Sequence, residues 1–239
     1  PASQGLEFEE VRFNTSDNLV LHGWYIPGTC DITLVWFHGN AGNISDRVGS
    51  IVDLRQHMDI GIFIFDYRGY GLSEGVPSEQ GTYIDGEAAM SHIASRTDID
   101  QSKILLFGRS LGCSIAAEIA IRRKTYALIL ESGFTSVQAM VSKMYSSLPG
   151  IETFARQFIK TQYNTLSKIG MISTPVMIIH GNRDEIIPHD MGLELYKAAN
   201  PPKRFYSIKG AGHNDAYIVG GSDYYKAIID FLEDPTANN

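Results

Sequence analysis

Short, nearly unbroken apolar runs recur along the middle of the chain: Ile32–Phe37, Gly61–Asp66, Lys103–Phe107, Ala127–Leu130 and Pro175–Ile179. A strand with apolar side chains on both faces must be covered on both, which is the pattern of parallel strands sandwiched between helices. The intervening stretches supply those helices: about Ser45–His57, Ser78–Arg96, Ile115–Ala120 and Asp190–Ala198, with a last one about Tyr217–Leu232 after a strand at Lys203–Ile208. Ahead of them, Val11 and Phe13 alternate with Glu10 and Arg12, and a second run covers Asn18–Ile26 beyond the turn Ser16-Asp17-Asn18, a β-hairpin pattern. The prediction is an α/β fold with a mostly parallel central sheet, helices on both faces and an antiparallel N-terminal hairpin. With no internal repeat or linker, residues 1–239 read as one domain.

One junction in this series carries chemistry. Gly108-Arg109-Ser110-Leu111-Gly112 joins a buried strand to an Ala-rich helix and has the form G-x-S-x-G. A serine squeezed between strand and helix sits on a sharp turn that only small neighbours permit, with its hydroxyl projecting and the helix N-terminus beneath it. A serine hydroxyl is a weak nucleophile until a base takes its proton. Of seven histidines, His213 lies in the loop Gly210–Asp215 after the last strand, at the same carboxyl edge of the sheet as Ser110. Asp184, after the strand ending near His180, is the candidate carboxylate to orient that imidazole, ahead of Glu185 and Glu131. Asp215 is too near His213 in sequence for that role and reads as a cap of the last helix. The expected oxyanion donors are the backbone N–H groups of Leu111 and of Asn40, the latter in the loop His38–Asn43 after the third strand.

About 40 residues separate the strand ending near Glu131 from the one starting at Pro175, far more than an ordinary connection. Apolar residues in it fall at helical spacing around Pro149-Gly150, which predicts a small helical cap over about residues 134–170. Met140, Met144, Tyr145 and Phe158 are its candidates for lining a pocket beside Ser110.

Several classes fall away. The formal charge is −7, and the one basic cluster, Arg122-Arg123-Lys124, ends a helix where cations suit the dipole, so no nucleic-acid partner is expected. Two cysteines make no disulfide framework, and Cys113 reads as core packing. His180, Asp184 and His189 match no metal spacing, and Gly69-Tyr70-Gly71 lacks a third glycine, so neither metal nor cofactor is expected. No apolar run approaches the ~18 residues of a membrane-spanning helix.

Taken together, His38–Asn43, Asp66-Tyr67-Arg68-Gly69-Tyr70-Gly71-Leu72-Ser73-Glu74-Gly75, Gly108–Gly112 and Gly212–Asp215 resemble the serine hydrolases called alpha/beta hydrolase domain-containing proteins, most nearly type thirteen and more distantly type seventeen. The resemblance implies the α/β-hydrolase fold and an ester or thioester hydrolase with Ser110 as nucleophile, Asp184 as acid and His213 as base. It implies that Arg68 braces its loop. Members are often tethered by an N-terminal membrane helix; the chain, which opens on Pro1, is expected to be soluble as it stands, cytoplasmic or tethered through a segment outside it. The type-seventeen relatives act on S-acylated proteins through a Cys-rich N-terminus that this chain lacks, which favours a small acyl ester as substrate. The expected function is hydrolysis of carboxylic esters through an acyl-enzyme. Thioester or protein deacylation, peptide cleavage and non-catalytic ligand binding on the same fold are the alternatives.

Overall fold

The computed structural model describes residues 1–148 and 150–236, with the side chains of Ser3, Glu152, Arg156 and Phe158 left aside. The apolar runs form an eight-stranded sheet in the order β1-β2-β4-β3-β5-β6-β7-β8. Its strands are β1 (Glu9–Asn14), β2 (Val20–Ile26), β3 (Cys30–Phe37), β4 (Ile60–Phe65), β5 (Ile104–Arg109), β6 (Ala127–Glu131), β7 (Val176–Gly181) and β8 (Lys203–Ile208). The β1–β2 and β2–β4 pairs are antiparallel, and every pair from β4 across to β8 is parallel. This is the α/β-hydrolase architecture.

Helices α1 (Val48–His57) and α8 (Ala216–Glu233) cover one face, burying Ile51, Leu54, Tyr224, Ile228 and Phe231 against Trp36, Ile64 and Phe107. Helices α2 (Glu79–Ser95), α3 (Leu111–Arg122) and α7 (His189–Ala198) cover the other, packing Tyr83, Ile115, Ile119 and Leu195 on Val35, Leu106 and Ile178. Each central strand thus contributes to two cores, and its unbroken apolar run has that cause.

Two helices differ from the sequence reading. The turn expected to open α1 is a separate 3₁₀ segment, Ile44–Arg47, started by a capping box between Asn43 and Asp46. The last helix is broken at Gly221, where φ is 51° and ψ is −138°. The long connection between β6 and β7 holds α4 (Val137–Met144), α5 (Ile151–Phe158) and the short α6 (Leu166–Ile169). Its return is fixed by Tyr163: the N–H donates to Glu79 Oε1 at 2.9 Å and the carbonyl accepts from Ser114 Oγ at 2.7 Å.

Candidate active site

The elbow is built as its glycines predict. Ser110 stands at φ 53° and ψ −117°, outside the helical region, with its N–H donated to Glu131 O at 2.9 Å. A side chain at Gly112 would put its Cβ 1.9 Å from Phe37 O, so only glycine lets the first turn of α3 approach β3 this closely. Strain of this kind costs about 1–3 kcal/mol and is held by the surrounding strands.

The loops after β7 and β8 bring the other two groups to the serine. They are laced together by Arg183 N–H to Ala211 O at 2.9 Å and Gly210 N–H to Asn182 Oδ1 at 2.8 Å. The result is one line of hydrogen bonds: Ser110 Oγ lies 3.1 Å from His213 Nε2, and His213 Nδ1 lies 2.8 Å from Asp184 Oδ2. Burial on its own would raise the Asp184 pKa. Hydrogen bonds from His180 and His213, the charge of His213 and the Ile187 N–H outweigh it and hold the carboxyl well below the usual carboxylate range. An ionised Asp184 fixes the proton on Nδ1, which leaves Nε2 free to accept from the serine hydroxyl. The second carboxylate oxygen, Oδ1, accepts the N–H groups of Ile186 and Ile187 at 2.9 and 2.7 Å.

Leu111 opens α3, where the first N–H groups have no intrahelical acceptor, and Gly39 passes so close to the elbow that a Cβ there would stand 3.3 Å from Ser110 Cβ. Asn40 follows it, and the Asn40 side chain is held by Tyr70 Oη at 2.6 Å. Two clefts meet at the serine. One, of about 420 Å³, is bordered by Leu111, Phe134, Val137, Met140 and Tyr163. The other, of about 480 Å³, is bordered by the loop Gly39–Gly42, Arg47, Arg109 and Asn214.

The expected pocket set needs correction. Met140 borders the first cleft, but Met144 and Tyr145 are 45% and 48% exposed and border neither. Only the first turn of α4, through Val137 and Met140, reaches the cleft; the residues one turn on stand beyond it. The Phe158 side chain lies outside the described residues. Asp215 also differs: it makes no side-chain cap on α8, and its Oδ1 accepts the Gly212 N–H at 2.7 Å, tightening the histidine loop instead. Arg68 braces its loop, with Nε to Asp85 Oδ1 at 2.9 Å and Nη1 to Asp17 Oδ2 at 2.8 Å. Glu131 does not meet His213; it is buried against Arg109 Nε at 3.2 Å and Tyr224 Oη.

Arg109 is the residue that motif reading passed over. From β5 its Nη2 donates to the carbonyl of His213 at 3.1 Å, so one guanidinium ties the serine strand to the histidine loop. The strand read from the sequence stops at Phe107, whereas β5 runs on to Arg109 and buries it. His180, read from the sequence as a brace of the turn after its strand, has its Nε2 3.3 Å from Asp184 Oδ2 and 2.9 Å from Ile187 O.

A serine on a strand–helix elbow, with aspartate and histidine on loops after later strands of a mainly parallel sheet, defines the alpha/beta-hydrolase class. The sequence pattern of the family described as serine aminopeptidase, S33, matches residues 29–155, and the chain belongs to that family within the alpha/beta-hydrolase superfamily. It is 36% identical over 252 residues to the alpha/beta hydrolase domain-containing protein WAV2 of Arabidopsis thaliana, covering 98% of this chain and 81% of that one. Protein bem46 of Schizosaccharomyces pombe is 29% identical over 246 residues, covering 100% and 81%. Among solved structures, the Pyrococcus furiosus esterase Pf2001 matches with a TM-score of 0.80 at 20% identity, covering 99% of this chain and 96% of that chain. The acetyl xylan esterase of Paenibacillus sp. R4 matches at 0.71 and 18% identity, covering 94% and 82%.

Proposed function

We propose that the chain is a serine esterase that works through an acyl-enzyme, and that within its superfamily it belongs with the alpha/beta hydrolase domain-containing proteins of type thirteen. The observation that carries this reading is the unbroken hydrogen-bond line from Ser110 Oγ through His213 to Asp184. His213 Nε2 takes the serine proton as Oγ bonds to the carbonyl carbon, and the N–H groups of Leu111 and Asn40 hold the oxyanion. His213 then gives that proton to the leaving alcohol as its C–O bond breaks. Water enters, loses a proton to the same nitrogen and releases the acid, restoring the serine. Asp184 keeps the imidazole in its tautomer and stabilises the imidazolium. The acyl chain lies in the cleft bordered by Leu111, Phe134, Val137 and Met140.

The test is a series of nitrophenyl esters from short to long acyl chains, with Ser110→Ala as the blank and fluorophosphonate labelling of Ser110 as an independent count of competent sites. Loss of at least ~10³-fold in turnover with an unchanged circular dichroism spectrum supports the reading. Retention of half the activity in that variant, or no serine-dependent turnover and no label, sinks it. The family description favours a second reading, peptide cleavage by the same three residues. Aminoacyl anilides assayed beside the esters separate the two, since the anilide must win on kcat/KM for that reading to replace the first.

A further inference from the structure

We propose that the polar cleft beside Ser110 holds an anionic group, a phosphate or carboxylate on the alcohol half of the substrate, and that Arg47 selects it. The proposal rests on the esterase reading above. If the acyl chain occupies the apolar cleft, the leaving alcohol lies on the opposite side of Ser110, against Gly39–Gly42, Arg47, Arg109 and Asn214.

The two arginines of this cleft are in different states. Arg109 is answered by Glu131 at 3.2 Å. Arg47 has no carboxylate within 4.0 Å among the described residues; its hydrogen bond there runs from Nη2 to Ala41 O at 2.8 Å, and its buried Nε has no partner. Arg55, Arg68 and Arg96, also buried or half-buried, each meet an aspartate or glutamate, whereas Arg204, away from this cleft, donates to the carbonyls of Asp230 and Asp234. Burial and the like charge of Arg109 push the Arg47 pKa down, against the weaker opposing pull of Asp46 and Asp66. Asp46, the carboxylate bordering the cleft, is engaged at Oδ2 with the Asn43 N–H at 2.9 Å.

The backbone points the same way. Ala41 and Gly42 hold φ of 68° and 66°, and their N–H groups, next to the Asn40 N–H assigned above to the oxyanion, meet no acceptor among the described residues. A non-glycine residue in that region is uncommon and strained. Consecutive unbonded N–H groups beside a guanidinium form a concavity suited to an anion.

The experiment compares kcat/KM for 1-butyrylglycerol 3-phosphate with that for 1-butyrylglycerol. The expected ratio favours the phosphate ester by about tenfold or more, and Arg47→Gln, which keeps a donor for Ala41 O, cuts that ratio about tenfold while Arg47→Lys retains most of it. A ratio of one or less, or one untouched by Arg47→Gln, overturns the proposal. Should the variants fail to fold, the ratio for the unaltered protein must fall between about 20 and 200 mM salt, and a flat profile is equally fatal. If neither ester turns over, the esterase reading has failed separately. NMR titration of Ser110→Ala with glycerol 3-phosphate against glycerol then decides the site: shifts of the Arg47 side chain with the phosphate alone support it, and equal or absent shifts overturn it. Exchanging butyryl for oleoyl in the phosphate ester distinguishes the source of the anion. A higher kcat/KM assigns a lipid headgroup and a lower one a small soluble phosphate ester.

Discussion

The elbow and helix α4 stand on either side of the same cleft and are held in opposite ways. Ser110 is fixed by β5, β6 and α3, and every residue of β5 is buried. Helix α4 has no buried residue, and Met144, Tyr145 and Leu148 are exposed around it. Backbone packing fixes Ser110, whereas α4 rests on the cleft through a few side chains. Substitutions in the first region should therefore change rate or stability, and those in the second should change preference.

The largest effect expected is for Asp184→Asn, which keeps the shape but favours the wrong imidazole tautomer; kcat should fall by about 10³–10⁴ in protein that circular dichroism shows to be folded, with the urea midpoint lowered by loss of the ionised carboxylate. A fall of less than tenfold would detach the aspartate from the chemistry. Next comes Arg109→Met, which strands the buried Glu131 carboxylate and frees the His213 carbonyl. Removing one partner of such a pair costs about 3–5 kcal/mol, read from urea unfolding, and kcat should drop with it.

Acid should act through His38, which is fully buried and whose pKa burial pushes down to about 4. In the unfolded chain it titrates near the ordinary histidine value of 6.5, so between pH 6.5 and 4 the unfolded state binds more protons. Stability should be full above pH 6.5 and decline by up to about 3 kcal/mol as the pH falls to 4. Asp184, with its lowered pKa, adds a further loss only below its ordinary 3.8. His38→Asn, which keeps a donor for Gly39 O, should flatten the first decline; an unchanged slope would locate it elsewhere. The smallest effects belong to α4: Met140→Ala should shift the preferred acyl length, and Met144→Ser should move stability by less than about 0.5 kcal/mol.

The same contrast explains what could be read in advance. Gly108, Gly112 and Ser110 announce a turn that few other residues permit, and the order serine, aspartate, histidine follows from strands ending at one edge. Met144 was misassigned because spacing tells which face of α4 a residue occupies but not where the helix axis leads. Asp215 was misassigned because a carboxylate before a helix has two N–H groups in reach, and the loop geometry chose Gly212. The pairing of Arg109 with the His213 carbonyl joins residues 104 positions apart, a distance that local patterns do not span.

Strand β8 is the last of the sheet, and most of its side chains are only partly covered. The histidine therefore hangs from the margin of the molecule while the serine stands near its middle. Both tryptophans, Trp24 and Trp36, lie on β2 and β3, on the other side of the serine strand. Under mild denaturant the margin frays first. Catalysis should fade at concentrations where tryptophan emission still reports an intact protein, and should return at once on dilution.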